Sequence, residues 1–120
     1  MRRGDWKVVD HHRHFEDEVP AEPGVYAIVQ SKRVLGVPLA ATPVYVGQST
    51  NLRRRFFDHT DPLREHNTTL RQALLKRLEL EFWFTTLPKA QLERAERDAI
   101  RMLQPIANLV RYAGDPPNGR

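Results

Sequence analysis

Two short apolar stretches, PGVYAIVQ at 23–30 and VYVGQ at 44–48, each place a phenol where an aliphatic side chain packs more simply: Tyr26 and Tyr45. A phenol hydroxyl can move a proton to or from a reacting group, but its ordinary pKa of about 10 means that it needs a neighbouring cation before it serves as a base. Cations follow at once. Arg53, Arg54 and Arg55 come in a row after Tyr45 and Gly47, and His59 stands four residues beyond Arg55. On a helix, Leu52, Arg55 and His59 share a face, so guanidinium and imidazole lie at the margin of the apolar stripe. Arg53 and Arg54 turn to solvent, where they form an ordinary charged face unless nucleic acid lies against them. The remaining anomaly is Glu96, which follows Leu92 by four and precedes Ala99 by three on a helical seam that should be buried. A buried carboxylate is costly unless it is paired or binds a metal. An arginine at the seam's edge and a metal ion are both open to it.

The elements that must position these groups are legible from the period of the apolar residues. Val25, Ala27 and Val29 alternate with Tyr26 and Ile28, and Val44 and Val46 alternate with Tyr45 and Gly47, the two-residue period of strands. Both phenols therefore point away from their valine faces. The connection SKRVLGVPLAATP, 31–43, is long for a hairpin loop and can extend both strands before turning at Gly36 or Pro38. A helix is predicted from Asn51, with Ser49 or Thr50 as N-cap and Leu52 stacked on Phe56, stopping near Asp61-Pro62. A second helix fits 69–78 through Leu70, Ala73, Leu74 and Leu78. LELEFWF alternates again, with Leu80, Phe82 and Phe84 on one side and Glu79, Glu81 and Trp83 on the other. The last helix starts around Pro88, ends before Pro105, and carries the seam Leu92, Ala95, Ala99, Met102 and Leu103. The expected class is α/β, with a small three-stranded antiparallel sheet flanked by helices.

Composition bounds the function. The 120 residues suit one domain with one core and room for one site. Nineteen Lys and Arg against fifteen Asp and Glu give a net charge of +4, which favours polyanions or other acidic partners. The chain has no cysteine, which excludes a disulfide scaffold and Cys-ligated zinc or iron–sulfur centres. No apolar stretch approaches a membrane span, and MRRGDWKVVD lacks the apolar region of a secretory signal, so a soluble, cytoplasmic protein without membrane contact is expected. The ends read as loosely held: 1–22 as a partly ordered extension, 23–110 as the folded domain and 111–120 as a turn-rich tail. His11, His12 and His14 invite zinc, but no carboxylate or cysteine completes a site for them. Trp6, Trp83 and Tyr112 could stack on bases or pack at the rim, and Arg64, Arg71, Lys76 and Arg77 could line a phosphate track or a helix surface.

In order and spacing the singled-out residues resemble the GIY-YIG nuclease family, whose catalytic domain occurs in excision-repair incision subunits, homing endonucleases and some restriction enzymes. The name motifs stand as Gly24-Val25-Tyr26 and Tyr45-Val46-Gly47. Arg55 follows the second glycine by eight residues, His59 comes four later, and Glu96 stands nine before Pro105, with Asn108 three beyond that. The likeness covers roughly residues 23–109. Valine replaces isoleucine in both motifs, which keeps a β-branched strand residue. Gln48 stands where some relatives have lysine, which weakens a phosphate contact at that position.

The resemblance implies a metal-dependent DNA endonuclease. It makes Tyr26 the general base, with Arg55 or the metal favouring its phenolate, and gives the scissile phosphate to Arg55. Tyr45 would bind the phosphate or order the water, and Glu96 would hold one Mg²⁺ or Mn²⁺. No second acid shares the seam with Glu96, which favours a single metal per site. His59 would position Tyr26 or assist proton transfer, the alternative being a capping or packing histidine. Asn108 would fix the C-terminal segment or contact the phosphate. Gly47 would let DNA approach the backbone, with Gln48, Arg53 and Arg54 as further DNA contacts. No helix-turn-helix or zinc finger is visible, so specificity would come from a partner protein or a homodimer, or be absent. The alternative is a module of the same fold that binds nucleic acid or protein without cutting.

Overall fold

The computed structural model describes residues 6–35, 37–63, 65–75 and 79–105. Four antiparallel strands form one sheet in the order β1-β4-β2-β3: β1 is Lys7–Asp10, β2 Gly24–Val34, β3 Val37–Ser49 and β4 Leu80–Thr86. Among the described residues the α-helices are α1 Leu52–Asp58, α2 Thr68–Leu75 and α3 Leu92–Leu103. Three of the strands are those the alternation predicts. The fourth, β1, belongs to the stretch expected to be a partly ordered extension. Only Val9 of its residues is buried, so no alternation betrays it, and its place on the sheet comes from pairing with β4.

Residues after β1 are also tied down. Val19 is fully buried in the core, and the carbonyls of Pro20 and Glu22 accept the backbone N–H groups of Arg53 (3.1 Å) and Leu52 (2.9 Å) at the start of α1. Those donors have no partner within a helix, so the N-terminal segment supplies one. The N-cap itself is Asn51, whose side chain accepts the N–H of Arg54 at 3.1 Å, rather than Ser49 or Thr50. Ser49 instead receives the N–H of Asn51 on its hydroxyl. α1 ends at Asp58, short of the expected Asp61-Pro62, with His59 as its C-cap.

The sheet separates two cores. On one face Tyr26, Ile28, Phe82 and Phe84 pack with Leu52, Phe56 and Leu70 from the two short helices. On the other, Val25, Ala27, Val29 and Val46 meet Leu92, Ala99 and Ile100 of α3. A register shift after Ile28, which pairs with Tyr45 while Val29 pairs with Pro43, leaves Val44 extra and turns it to the aromatic face with Tyr45. Gly24 is where α1 and β4 come together: a Cβ there would lie 2.5 Å from Leu52 Cδ1 and closer still to the carbonyl oxygen of Thr85.

α3 keeps most of its predicted seam, but the buried row runs through Leu92 and Ile100, one turn either side of Glu96. Met102 and Leu103, placed on the seam by their spacing, are exposed, Met102 at 79%. Leu78, Arg64, Lys76, Arg77, Gly36, Asn108, Tyr112 and the tail lie outside the described residues.

Candidate active site

Tyr26 sits in the middle of β2 with its ring stacked on Phe82, centroids 5.1 Å apart at 15°. Opposite it on β3 is Gly47. A Cβ at that position would fall 2.6 Å from Tyr26 Cζ and nearer to the hydroxyl oxygen. The space left by the missing side chain is therefore filled by the phenol, and Gly47 is itself buried. The glycine expected to admit DNA to the backbone admits Tyr26 instead.

The Tyr26 hydroxyl lies 2.8 Å from Nε2 of His59. His59 is 7% exposed, and its Nδ1 lies 2.5 Å from Glu65 Oε1. The other Glu65 oxygen accepts the N–H of Asn67 at 2.8 Å. From the far end of the chain, His11 Nε2–H donates to the His59 carbonyl at 2.9 Å, so the first strand's exit braces the end of α1. His11 is edge-on to Phe56 and stacked with Phe82, and its Nδ1 has no hydrogen-bond partner. Burial pushes its pKa down to about 4.

A cavity of about 300 Å³ opens beside this row, lined by Tyr45, Arg55, Asp58, His59, Glu65, His66 and Asn67. Arg55 is solvent-exposed and Tyr45 half-buried, and both line the cavity. Both act on Tyr26 electrostatically. Burial raises the phenol well above its usual value, Tyr45 adds to this, Arg55 opposes it, and the charges of Glu65 and Glu96 raise it further. The cation expected to favour phenolate acts in that direction but is outweighed by desolvation. Burial thus favours the protonated phenol, and among the described residues its hydroxyl meets His59 Nε2.

Glu96 is half-buried on α3, and its charge is felt at the Tyr26 hydroxyl although α3 packs on the opposite face. Among the described residues no three His, Asp or Glu side chains gather into a ready-made metal cage. The Glu96 carboxylate is a hard oxygen donor of the kind that suits a cation keeping most of its waters, as magnesium does.

The fold has counterparts among solved structures. A GIY-YIG N-terminal endonuclease domain of UvrC from Thermotoga maritima, bound to its catalytic divalent cation, magnesium, aligns over 90% of this chain and 99% of its own, with TM-score 0.55 and 18% identity. An asparagine-to-alanine point mutant of that domain, bound to its catalytic divalent cation, aligns over 89% and 97% with TM-score 0.53 and 17% identity. The fold is that of a GIY-YIG endonuclease domain. No family model and no curated protein matches the sequence.

Within the GIY-YIG fold, the residues predicted for the site divide. Tyr45, Arg55 and His59 line one cavity, and Tyr26 is buried behind it against His59, with Glu96 in electrostatic reach. Gln48 pairs with Val25 and so faces the α3 side of the sheet, away from the phenols. Arg53 is not turned to solvent: its Nε–H donates to the Val19 carbonyl at 2.8 Å. The segment that supplies this acceptor was expected to be loose, and its folding onto α1 is what captures the guanidinium. Arg54 is exposed as expected. Asn108 lies outside the described residues. Glu65 carries no signal of its own in the sequence and His11 only an incomplete zinc reading, since each is set by a partner, 6 and 48 residues away along the chain. No helix among the described residues is long and apolar enough to cross a membrane.

Proposed function

We propose that this chain is a metal-dependent DNA endonuclease that hydrolyses phosphodiester bonds, with Tyr26 as general base and one Mg²⁺ or Mn²⁺ held by Glu96. The observation that carries this reading is the 2.8 Å contact of the buried Tyr26 hydroxyl with His59, which lines a cavity that also presents Arg55. An isolated buried phenol is a poor base; one in contact with an imidazole can take a proton and release its own in the same step.

In that step a water oxygen forms a bond to phosphorus while the bond to the leaving oxygen breaks. The water's proton goes to Tyr26 Oη, and the tyrosine's own proton goes to His59 Nε2. Arg55 holds the non-bridging oxygens with its planar fork and offsets the charge that develops there. Tyr45 orders the water or the phosphate from the same cavity. A divalent cation at Glu96, when bound, polarises the phosphate and stabilises the leaving oxygen. Arg54, exposed like Arg55, is a contact to DNA backbone; Gln48 and Arg53 have a peripheral part. Asn108 is proposed to fix the segment after Pro105. We also propose that the working protein is cytoplasmic, and that a partner protein or a second copy of the chain selects the DNA.

Supercoiled, linear, branched and single-stranded DNA incubated with Mg²⁺, Mn²⁺ or EDTA tests the proposal. Cleavage with either metal and none with EDTA is expected. Tight binding to every DNA form with no cleavage in either metal identifies a binding module instead.

A further inference from the structure

We infer that Glu65 is a positioning residue that fixes the tautomer of His59, and through it the direction in which the Tyr26 proton can leave. This rests on Tyr26 being the base. Glu65 belongs to none of the motifs read from the sequence, yet it is 5% exposed and has a distinct partner on each oxygen: His59 Nδ1 at 2.5 Å on Oε1, and the Asn67 N–H at 2.8 Å on Oε2. Its own carbonyl accepts Arg71 Nε–H at 3.0 Å, which holds the loop in place. Burial by itself raises the carboxyl, but the hydrogen bond and charge of His59 and the Asn67 N–H outweigh it, so the group stays below its usual range.

An ionised carboxylate accepts and never donates, so Nδ1 of His59 must carry a hydrogen. In the neutral imidazole the lone pair is then on Nε2, facing the Tyr26 hydroxyl, and the hydroxyl donates to it. Transfer along that bond leaves an imidazolium whose other N–H already points at Glu65, so nothing has to reorient as the charge appears. The opposite tautomer would set an N–H against the hydroxyl. Tyr26 could then accept a hydrogen bond from His59 but could not hand it a proton.

The Asn67 N–H makes the tautomer testable. In Glu65→Gln the amide oxygen must face that N–H, because an amide NH₂ there would oppose another donor. The NH₂ therefore faces His59 Nδ1, and both hydrogen bonds survive only if the imidazole hydrogen moves to Nε2. The substitution is nearly isosteric and keeps the loop's contacts.

Long-range ¹H–¹⁵N NMR of histidine-labelled protein, free of metal and DNA and with the imidazole neutral, should show His59 protonated on Nδ1 in the wild type and on Nε2 in Glu65→Gln. In single-turnover cleavage with Mg²⁺, the variant should lose about 10²- to 10⁴-fold in rate at saturating DNA, with the half-saturating DNA concentration unchanged. A wild-type His59 protonated on Nε2, an unchanged tautomer in the variant, or an unchanged rate overturns the inference. If Glu65→Gln does not fold, the wild-type spectrum decides alone. A wild type with the Nδ1 tautomer that cuts no DNA supports the positioning role and counts only against the nuclease reading.

Discussion

On the α3 face of the sheet, Val25, Ala27, Val29 and Val46 meet Leu92, Ala99 and Ile100 in an aliphatic layer. On the other face, Tyr26, Phe56 and Phe82 surround a row of polar groups, His11, His59 and Glu65, that run into one another through hydrogen bonds. The first layer is held by contacts without direction, and shape-conserving changes should leave it working. The second depends on each donor meeting its acceptor, so a change of one atom should alter function while the fold persists. Glu96 joins the two: it rides on the aliphatic helix and acts on the aromatic face.

That joint predicts the largest effect. Glu96→Ala should lower metal-dependent cleavage by roughly 10²- to 10⁴-fold and abolish the heat of Mg²⁺ binding in calorimetry. Its stability should change by no more than about 1 kcal/mol, because alanine favours the helix and a half-buried charge is removed. Unfolding of the variant would instead make Glu96 a structural ion-pair partner.

The aliphatic layer can be broken separately. Ile100→Ala should cost about 2–4 kcal/mol in urea unfolding, and Met102→Ala less than about 0.5 kcal/mol, although spacing alone put Met102 on the seam. Equal losses would place the helix in a different rotation.

Acid should tell the polar row apart from the layer behind it. The folded pKa of His11, about 4, lies below its ordinary 6.5. Between those values the unfolded chain binds a proton that the folded chain refuses, so stability falls as pH falls through that window, by about 2–3 kcal/mol at most. Above pH 6.5 this contribution is constant. His11→Phe should flatten the slope of unfolding free energy between pH 6.5 and 4; an unchanged slope assigns the acid sensitivity elsewhere.

The smallest contrast is between adjacent arginines. Arg53→Ala removes a donor to Val19 and should cost about 1 kcal/mol of stability. Arg54→Ala should leave stability alone and reduce the salt slope of DNA binding by about one unit for each phosphate that the guanidinium neutralises.

The aliphatic face was legible because period reports which way a side chain points. Alternation placed Val25, Ala27 and Val29 opposite Tyr26, and the same rule placed Leu80, Phe82 and Phe84 together. Family resemblance gathered Tyr26, Tyr45, Arg55 and His59. What stayed hidden was set by tertiary contact. β1 buries a single valine, Val44 changes face through a bulge, and Arg53 is captured by a carbonyl 34 residues earlier. Glu65 looks like any loop acid until His59 is brought against it, and His11 like a surface histidine until Phe56 and Phe82 close over it. Residue type carried the chemistry; the orientation of that chemistry depended on partners that periodicity does not see.

Single-turnover cleavage of one labelled duplex, with Mg²⁺ saturating, by wild type and by Tyr26→Phe bears most directly on the role of the buried phenol. The substitution keeps the ring stacked on Phe82 and deletes only the hydroxyl, leaving His59 Nε2 without its partner at a cost of about 1 kcal/mol of stability. Cleavage should slow by about 10²- to 10⁴-fold while DNA affinity is kept. A Tyr26→Phe protein that cuts at the wild-type rate would contradict proton abstraction by Tyr26.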